Sequence, residues 1–255
     1  MLLAELVEIS ERVGSTRSRS AKIGLLAGLI GRFGRDEIEA GVAFLTGEPR
    51  HGKIGVGWAS LRDASAQPAP EPSLSIQDLD VTIDRLARLA GPGSAAERRS
   101  TLETLFARTT ASEADFVRRL LIGDLRQGAL SGVVAEAVAR AGSAPPEAVR
   151  RALMLTGNLP EVAVLALHGE PGALAAVGLG VLRPILPMLA ATAASPVEAL
   201  AGLGPCSVEW KLDGARIQAH RAGAEVRLYT RNLNDVTDRL PAVVDAVRGC
   251  PSSRW

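Results

Sequence analysis

Three lysines occur in the 255 residues, Lys22, Lys53 and Lys211, within a total of 29 basic side chains. Arginine cannot act as an amine nucleophile, so each lysine in so arginine-rich a chain poses a chemical question. Lys211 stands in the run Glu209-Trp-Lys-Leu-Asp-Gly-Ala-Arg216. A neutral lysine amine can form a covalent intermediate that divides one hard step into two easier ones. Its ordinary pKa is about 10.4, so a site that uses it must favour loss of the proton. A neighbouring cation such as Arg216 pushes in that direction. Asp213 either takes part in the chemistry or shapes a tight turn with Gly214. The plain alternative for the whole run is a hairpin with a surface lysine and an Asp-Gly turn.

Further residues narrow the choice. Lys211, Asp213, Gly214 and Arg216 spell K-x-D-G-x-R, which resembles the nucleotidyltransferase signature shared by DNA ligases, RNA ligases and mRNA capping enzymes. Tyr229-Thr-Arg-Asn-Leu-Asn-Asp235 is similar to the second short ligase motif around S/T-R-N, and Arg183-Pro-Ile-Leu-Pro-Met-Leu-Ala190 looks like the entry to the catalytic domain. Phe116-Val-Arg-Arg-Leu-Leu-Ile-Gly-Asp-Leu-Arg-Gln-Gly128 resembles the G-x-L-R-x-G segment of the ligase DNA-binding domain, as does Gly55-Val-Gly-Trp58 after Lys53-Ile. RNA ligases and capping enzymes, the alternative families, are not expected to carry that helical module. The chain as a whole thus resembles the ATP-dependent DNA ligases.

That resemblance implies a mainly α protein, with an all-helical N-terminal DNA-binding domain followed by a truncated α+β nucleotidyltransferase (ATP-grasp-like) segment. It implies that Lys211 is the catalytic residue carrying AMP, that Glu209 reads the adenine amino group, and that Arg216 and Arg231 contact the nucleotide. Their forked donors suit phosphate oxygens. Lys53, Arg118, Arg119 and Arg126 become candidate DNA contacts, with ordinary solvent-facing arginines on a packing segment as the competing reading. ATP is the implied cofactor, and magnesium is expected on ligands beyond residue 255. The acidic metal-binding motifs, further nucleotide contacts and a C-terminal OB-fold would also lie past Trp255. The chain is therefore expected to be a fragment that binds DNA without ligating it alone; a non-catalytic duplex-binding module is the alternative. Nicked double-stranded DNA is the expected partner of a monomer, in DNA repair, replication or recombination.

The pattern of apolar residues shows which elements must hold these groups. Leu2, Leu6, Ile9 and Val13 share one helical face, as do Ile23, Leu26, Ile30 and Phe33, then Ile38, Val42 and Leu45. Gly47–Leu61 reads as a glycine-studded loop and 64–75 as a proline-rich one, with helix resuming near Ile76. Ser94 to Glu97 has capping-box spacing, Ser112 to Asp115 a weaker version, and Pro145-Pro146 suits a first helical turn. Residues 1–180 form the expected helical domain, 181–200 a linker, and 201–255 the start of the adenylation domain. Strands are expected around Val208–Trp210, Arg216–His220 and Glu225–Arg231, turning at Ala222-Gly223, with a last helix from about Asp238 to Arg248.

Bulk properties fit this scheme. Apolar residues reach 47% and aromatic ones only 3%, so Ala, Leu and Val must fill the core, a mixture that favours helices. A net charge of +1 does not announce a nucleic-acid binder. The basic cluster at Arg12, Arg17, Arg19, Lys22, Arg32 and Arg35 serves equally as a solvated face. Cys206 and Cys250 read as reduced thiols, and the three scattered histidines, His51, His168 and His220, give no zinc spacing. The first residues lack a signal-peptide pattern, and no apolar run approaches a membrane span; the ligase resemblance implies a cytoplasmic, nucleoid-associated protein.

Overall fold

The structure, a computed structural model, describes residues 1–52, 54–64, 66–125, 131–188, 192–210 and 213–250, with position 63 described by its backbone only. They divide into two compact units, Met1–Leu153 with Asn158–Val177, and Met154–Gly157 with Gly178–Trp255. Helix predominates, and the described residues hold a single two-stranded sheet.

The first unit contains α1 (Leu3–Ser15), α2 (Arg19–Ile30), α3 (Ile38–Thr46), α4 (Trp58–Asp63), α5 (Ile76–Arg88), α6 (Ser94–Ala107), α7 (Ala111–Leu121) and α8 (Ser131–Ala141). It continues through α9 (Pro146–Thr156, its end counted with the second unit), α10 (Leu159–His168) and the short α11 (Ala173–Ala176). The expected apolar faces turn inward except at Leu2, which precedes α1 as its N-cap and is exposed. Leu6 and Val13 of α1, Leu26 and Ile30 of α2, and Ile38, Val42 and Leu45 of α3 are all buried. Each such side chain contributes about 1.5–3 kcal/mol of transfer free energy. Helix α2 lies along α8, and α10 packs on α3 and α8. Gly41 sits in α3 because a Cβ there would come within 2.6 Å of the buried Phe33 ring.

Helix starts differ from several expectations. The capping box at Ser94 does not form: Gly93, at φ +85°, is the N-cap, and Ser94 is already helical. The box expected at Ser112 forms two residues earlier, where Thr110 and Glu113 cap each other's backbone N–H. Ser75 and Asp78 make a further capping box on α5. The loop reading of Gly47–Leu61 also needs correction, because α4 begins at Trp58 and buries Leu61 in the core.

The second unit holds α12 (Pro196–Leu203), the hairpin strands β1 (Ile217–Ala222) and β2 (Glu225–Thr230), a 3-10 turn at Thr237–Arg239, and α13 (Pro241–Gly249). The strands pair antiparallel, with Ala222 opposite Glu225, so Gly223-Ala224 forms a two-residue turn. Gly223 takes φ +60°, a conformation that such turns require and glycine adopts without a Cβ clash. One face of the hairpin buries Val226 and Leu228 with Val244 of α13, flanked by Ile217, Val236, Leu240 and Val247. The strand expected at Val208–Trp210 is not there: those residues are irregular, and Trp210 is 94% exposed. The last helix starts at Pro241 rather than near Asp238, because the 3-10 turn comes first.

Candidate functional site

In the second unit the hairpin register sets the positions of two candidate residues. Ile217 is opposite Thr230 at the open end of the ladder. Arg216 precedes Ile217 and Arg231 follows Thr230, so both exposed arginines stand one step beyond the last pair, at the same mouth. The chain after Arg231 turns back tightly. The Asn234 N–H donates to Thr230 Oγ1 (3.2 Å), the Thr230 N–H to the Asn234 carbonyl (3.0 Å), and Leu233 adopts φ +61°. Asp235 then rejoins β2 through a bridge to Tyr229. Its carboxylate accepts from the Thr237 hydroxyl (2.5 Å) and N–H (2.9 Å), which hold its pKa below the usual carboxylate range. The T-R-N-L-N-D run is thus a turn closed by its own threonine and aspartate.

Other contacts tie the hairpin to the proline-rich segment before it. Gln218 of β1 clamps the backbone of Ile185, its Oε1 accepting from the Ile185 N–H (3.1 Å) and its Nε2 donating to the Ile185 carbonyl (2.5 Å). Tyr229 of β2 donates its hydroxyl to the Leu182 carbonyl (2.6 Å), and burial pushes the phenol's pKa up. His220 lies edge-on to the Tyr229 ring with centroids 5.5 Å apart. Sequence reasoning left Gln218 unremarked, because a glutamine in an alternating strand carries no signal of what its amide will meet.

The remaining nucleotide candidates are less gathered. Lys211 lies outside the described residues. Glu209 is exposed, and its Oε1 accepts from Ser207 Oγ at 3.2 Å. Asp213 and Gly214 are exposed on the approach to β1.

The DNA-contact candidates belong to the first unit. Lys53 and Arg126, with Gly128 of the same motif, lie outside the described residues. Arg119 is exposed and paired with Asp115 one turn back (2.9 Å). Arg118 lays its guanidinium over the Phe106 ring at 4.5 Å, a cation–π contact that fixes it at the surface.

The loop before α4 has an anchor that the sequence did not reveal. Arg50 Nε and Nη2 grip the Asp80 carboxylate of α5, Arg50 Nη1 donates to Glu39 of α3 (2.8 Å), and His51 Nε2 donates to Asp80 Oδ1 (2.9 Å). Burial alone would push the Asp80 carboxyl up, but the hydrogen bonds from Arg50 and His51 hold it below the usual carboxylate range. The same contact raises the Arg50 pKa. His51 read as scattered because its partners lie 29 and 33 positions away in sequence, at Asp80 and Asp84.

Two family patterns match the chain. The pattern described as "DNA ligase N terminus" covers residues 51–139, and that described as "ATP dependent DNA ligase domain" covers 187–254. A curated relative in Pseudarthrobacter chlorophenolicus, called "Probable DNA ligase", is 53% identical over 251 residues, 98% of this chain and 50% of its own length. A protein of the same name in Streptomyces griseus is 50% identical over 255 residues, 100% of this chain and 50% of its own. One in an Anaeromyxobacter species is 48% identical over 99% of this chain and 49% of its own. The chain spans about half the length of the curated relatives that it matches.

Proposed function

The chain belongs to the ATP-dependent DNA ligase family, and we propose that it works within a protein that seals nicked duplex DNA through AMP carried on Lys211. In the first step the Lys211 amine, uncharged, attacks the α-phosphate of ATP. The Nζ–P bond forms as the bond from the α-phosphorus to the pyrophosphate oxygen breaks. AMP then passes to the 5′-phosphate at the nick, and the 3′-hydroxyl displaces it. Arg216 and Arg231 neutralise phosphate charge in the first transfer, and Glu209 accepts from the adenine amino group.

The single observation that carries this reading is the hairpin register, which supports Arg216 and Arg231 acting from one side on one phosphate group. Two exposed cations standing together call for an anionic ligand, and Asp213 and Gly214 of the K-x-D-G motif precede the same strand. Magnesium accompanies ATP, but no group of three or more His, Cys, Asp or Glu converges among the described residues. These residues do not fit a metal site, and no step is assigned to one.

Residues 1–180 serve as the DNA-binding domain, with Lys53, Arg118, Arg119 and Arg126 against phosphates; 181–200 connect; 201–255 open the adenylation domain. The division after Val177 supports that partition, and the match to a ligase N terminus favours DNA over RNA ends. Work as a monomer in DNA repair, replication or recombination, in the cytoplasm at the nucleoid, belongs to the same proposal. No helix among the described residues is long and apolar enough to cross a membrane. The test is nick sealing by a protein that spans the relatives' full length. Sealing of nicked DNA, lost in Lys211→Ala, is expected; sealing retained by that variant would overturn the reading.

A further inference from the structure

On the first unit, Trp58 at the start of α4 is 70% exposed, an unusual cost for the largest side chain in a chain so poor in aromatics. It forms one wall of an open groove with Ala59, Leu61, Arg62 and Arg118. Arg118 is held there by the Phe106 ring, and no carboxylate is among the described side chains that line the groove. An apolar floor between two guanidinium groups is complementary to a strand of nucleic acid, whose sugars are apolar and whose phosphates are regularly spaced anions.

We propose that Trp58 lies against the sugar faces of duplex DNA while Arg62 and Arg118 take phosphates on either side. The proposal rests on the DNA-binding reading given above and adds the surface and its division of labour. The arginines supply the salt-dependent part of binding, and the indole supplies the part that salt does not screen. The loop that presents α4 is fixed at its base by Arg50 and His51 on Asp80, so the indole is delivered by a braced segment. An acidic peptide would match the two charges but leave the exposed indole without a regular partner.

The experiment follows a fluorescein-labelled nicked duplex by anisotropy across a salt series, with the 255-residue chain and its Trp58→Ala, Trp58→Phe, Arg62→Ala and Arg118→Ala variants. Trp58→Ala should weaken binding by about tenfold at every salt concentration, with Trp58→Phe recovering part of the loss. Each arginine variant should lower the slope of log affinity against log salt by about one. Circular dichroism melting checks that the fold is kept; should Arg118→Ala melt early through loss of its Phe106 contact, Arg62→Ala decides the slope. Wild-type binding that Trp58→Ala leaves unchanged would overturn this proposal and leave the DNA-binding reading standing. Polyglutamate competes through the arginines alone, so it should displace DNA from Trp58→Ala at lower concentration than from the wild type; displacement from the wild type at the same or lower concentration would overturn the proposal. Absence of wild-type binding even at low salt would remove both readings together.

Discussion

Arg231 owes its place to the threonine before it. The Thr230 hydroxyl accepts from the Asn234 N–H and closes the turn that sends the chain back to β2, so the arginine is displayed from a fixed end. Replacing Thr230 by Val should cost no more than about 1 kcal/mol of stability, since this hydrogen bond is exposed. It should nonetheless slow adenylation about tenfold by loosening Arg231. Urea melts and the initial rate of label transfer from ATP separate the two effects. Removing the guanidinium outright in Arg231→Ala should cut that rate on the order of a hundredfold, the scale of losing one donor to developing charge. A rate within twofold of wild type would take Arg231 out of the nucleotide site. The sequence displayed the arginines by spacing, but it did not display the turn, because its closing bonds run between backbone groups and short polar side chains.

Among elements, the loop between α3 and α4 shows how a segment without regular structure is held. Arg50 and His51 converge on Asp80, whose side chain is 8% exposed, and thereby tie the loop to α5. Asp80→Asn keeps the shape and removes the charge, and should destabilise the chain by about 2 kcal/mol, below the full cost of breaking a buried pair because Arg50 is half-exposed. The pH dependence has a definite sign. The Asp80 pKa is depressed in the folded chain, so its contribution is fully present above the unfolded value of about 3.9 and is lost as pH falls through the lower folded value. The stability gap between wild type and Asp80→Asn should therefore be constant above about pH 5 and close on further acidification. A gap that widens in acid would contradict the assignment. Helix faces such as Leu6–Val13 were legible from period alone, whereas Ser94, with the right spacing for a cap, lost that role to Gly93, whose positive φ ends the turn first.

For the molecule as a whole, the order of helices before hairpin was readable because apolar periodicity changes from helical to alternating along the chain. The expected strand at Val208–Trp210 failed because alternation specifies a face, while a strand also needs a neighbour to pair with, and Trp210 stands almost fully in solvent. The chemistry reaches furthest as a statement about a single bond. Adenylation exchanges one phosphoryl linkage for another, so excess pyrophosphate should strip the AMP from the protein and regenerate ATP, measurable as loss of bound label. The most direct measurement is peptide mass spectrometry after incubation with ATP and magnesium, using a protein that spans the relatives' full length. The peptide containing Lys211 should gain the mass of one adenylate that acid removes, and Lys211→Arg should gain none. An adenylate found on another residue, or undiminished in Lys211→Arg, would contradict the assignment of Lys211 as the nucleophile.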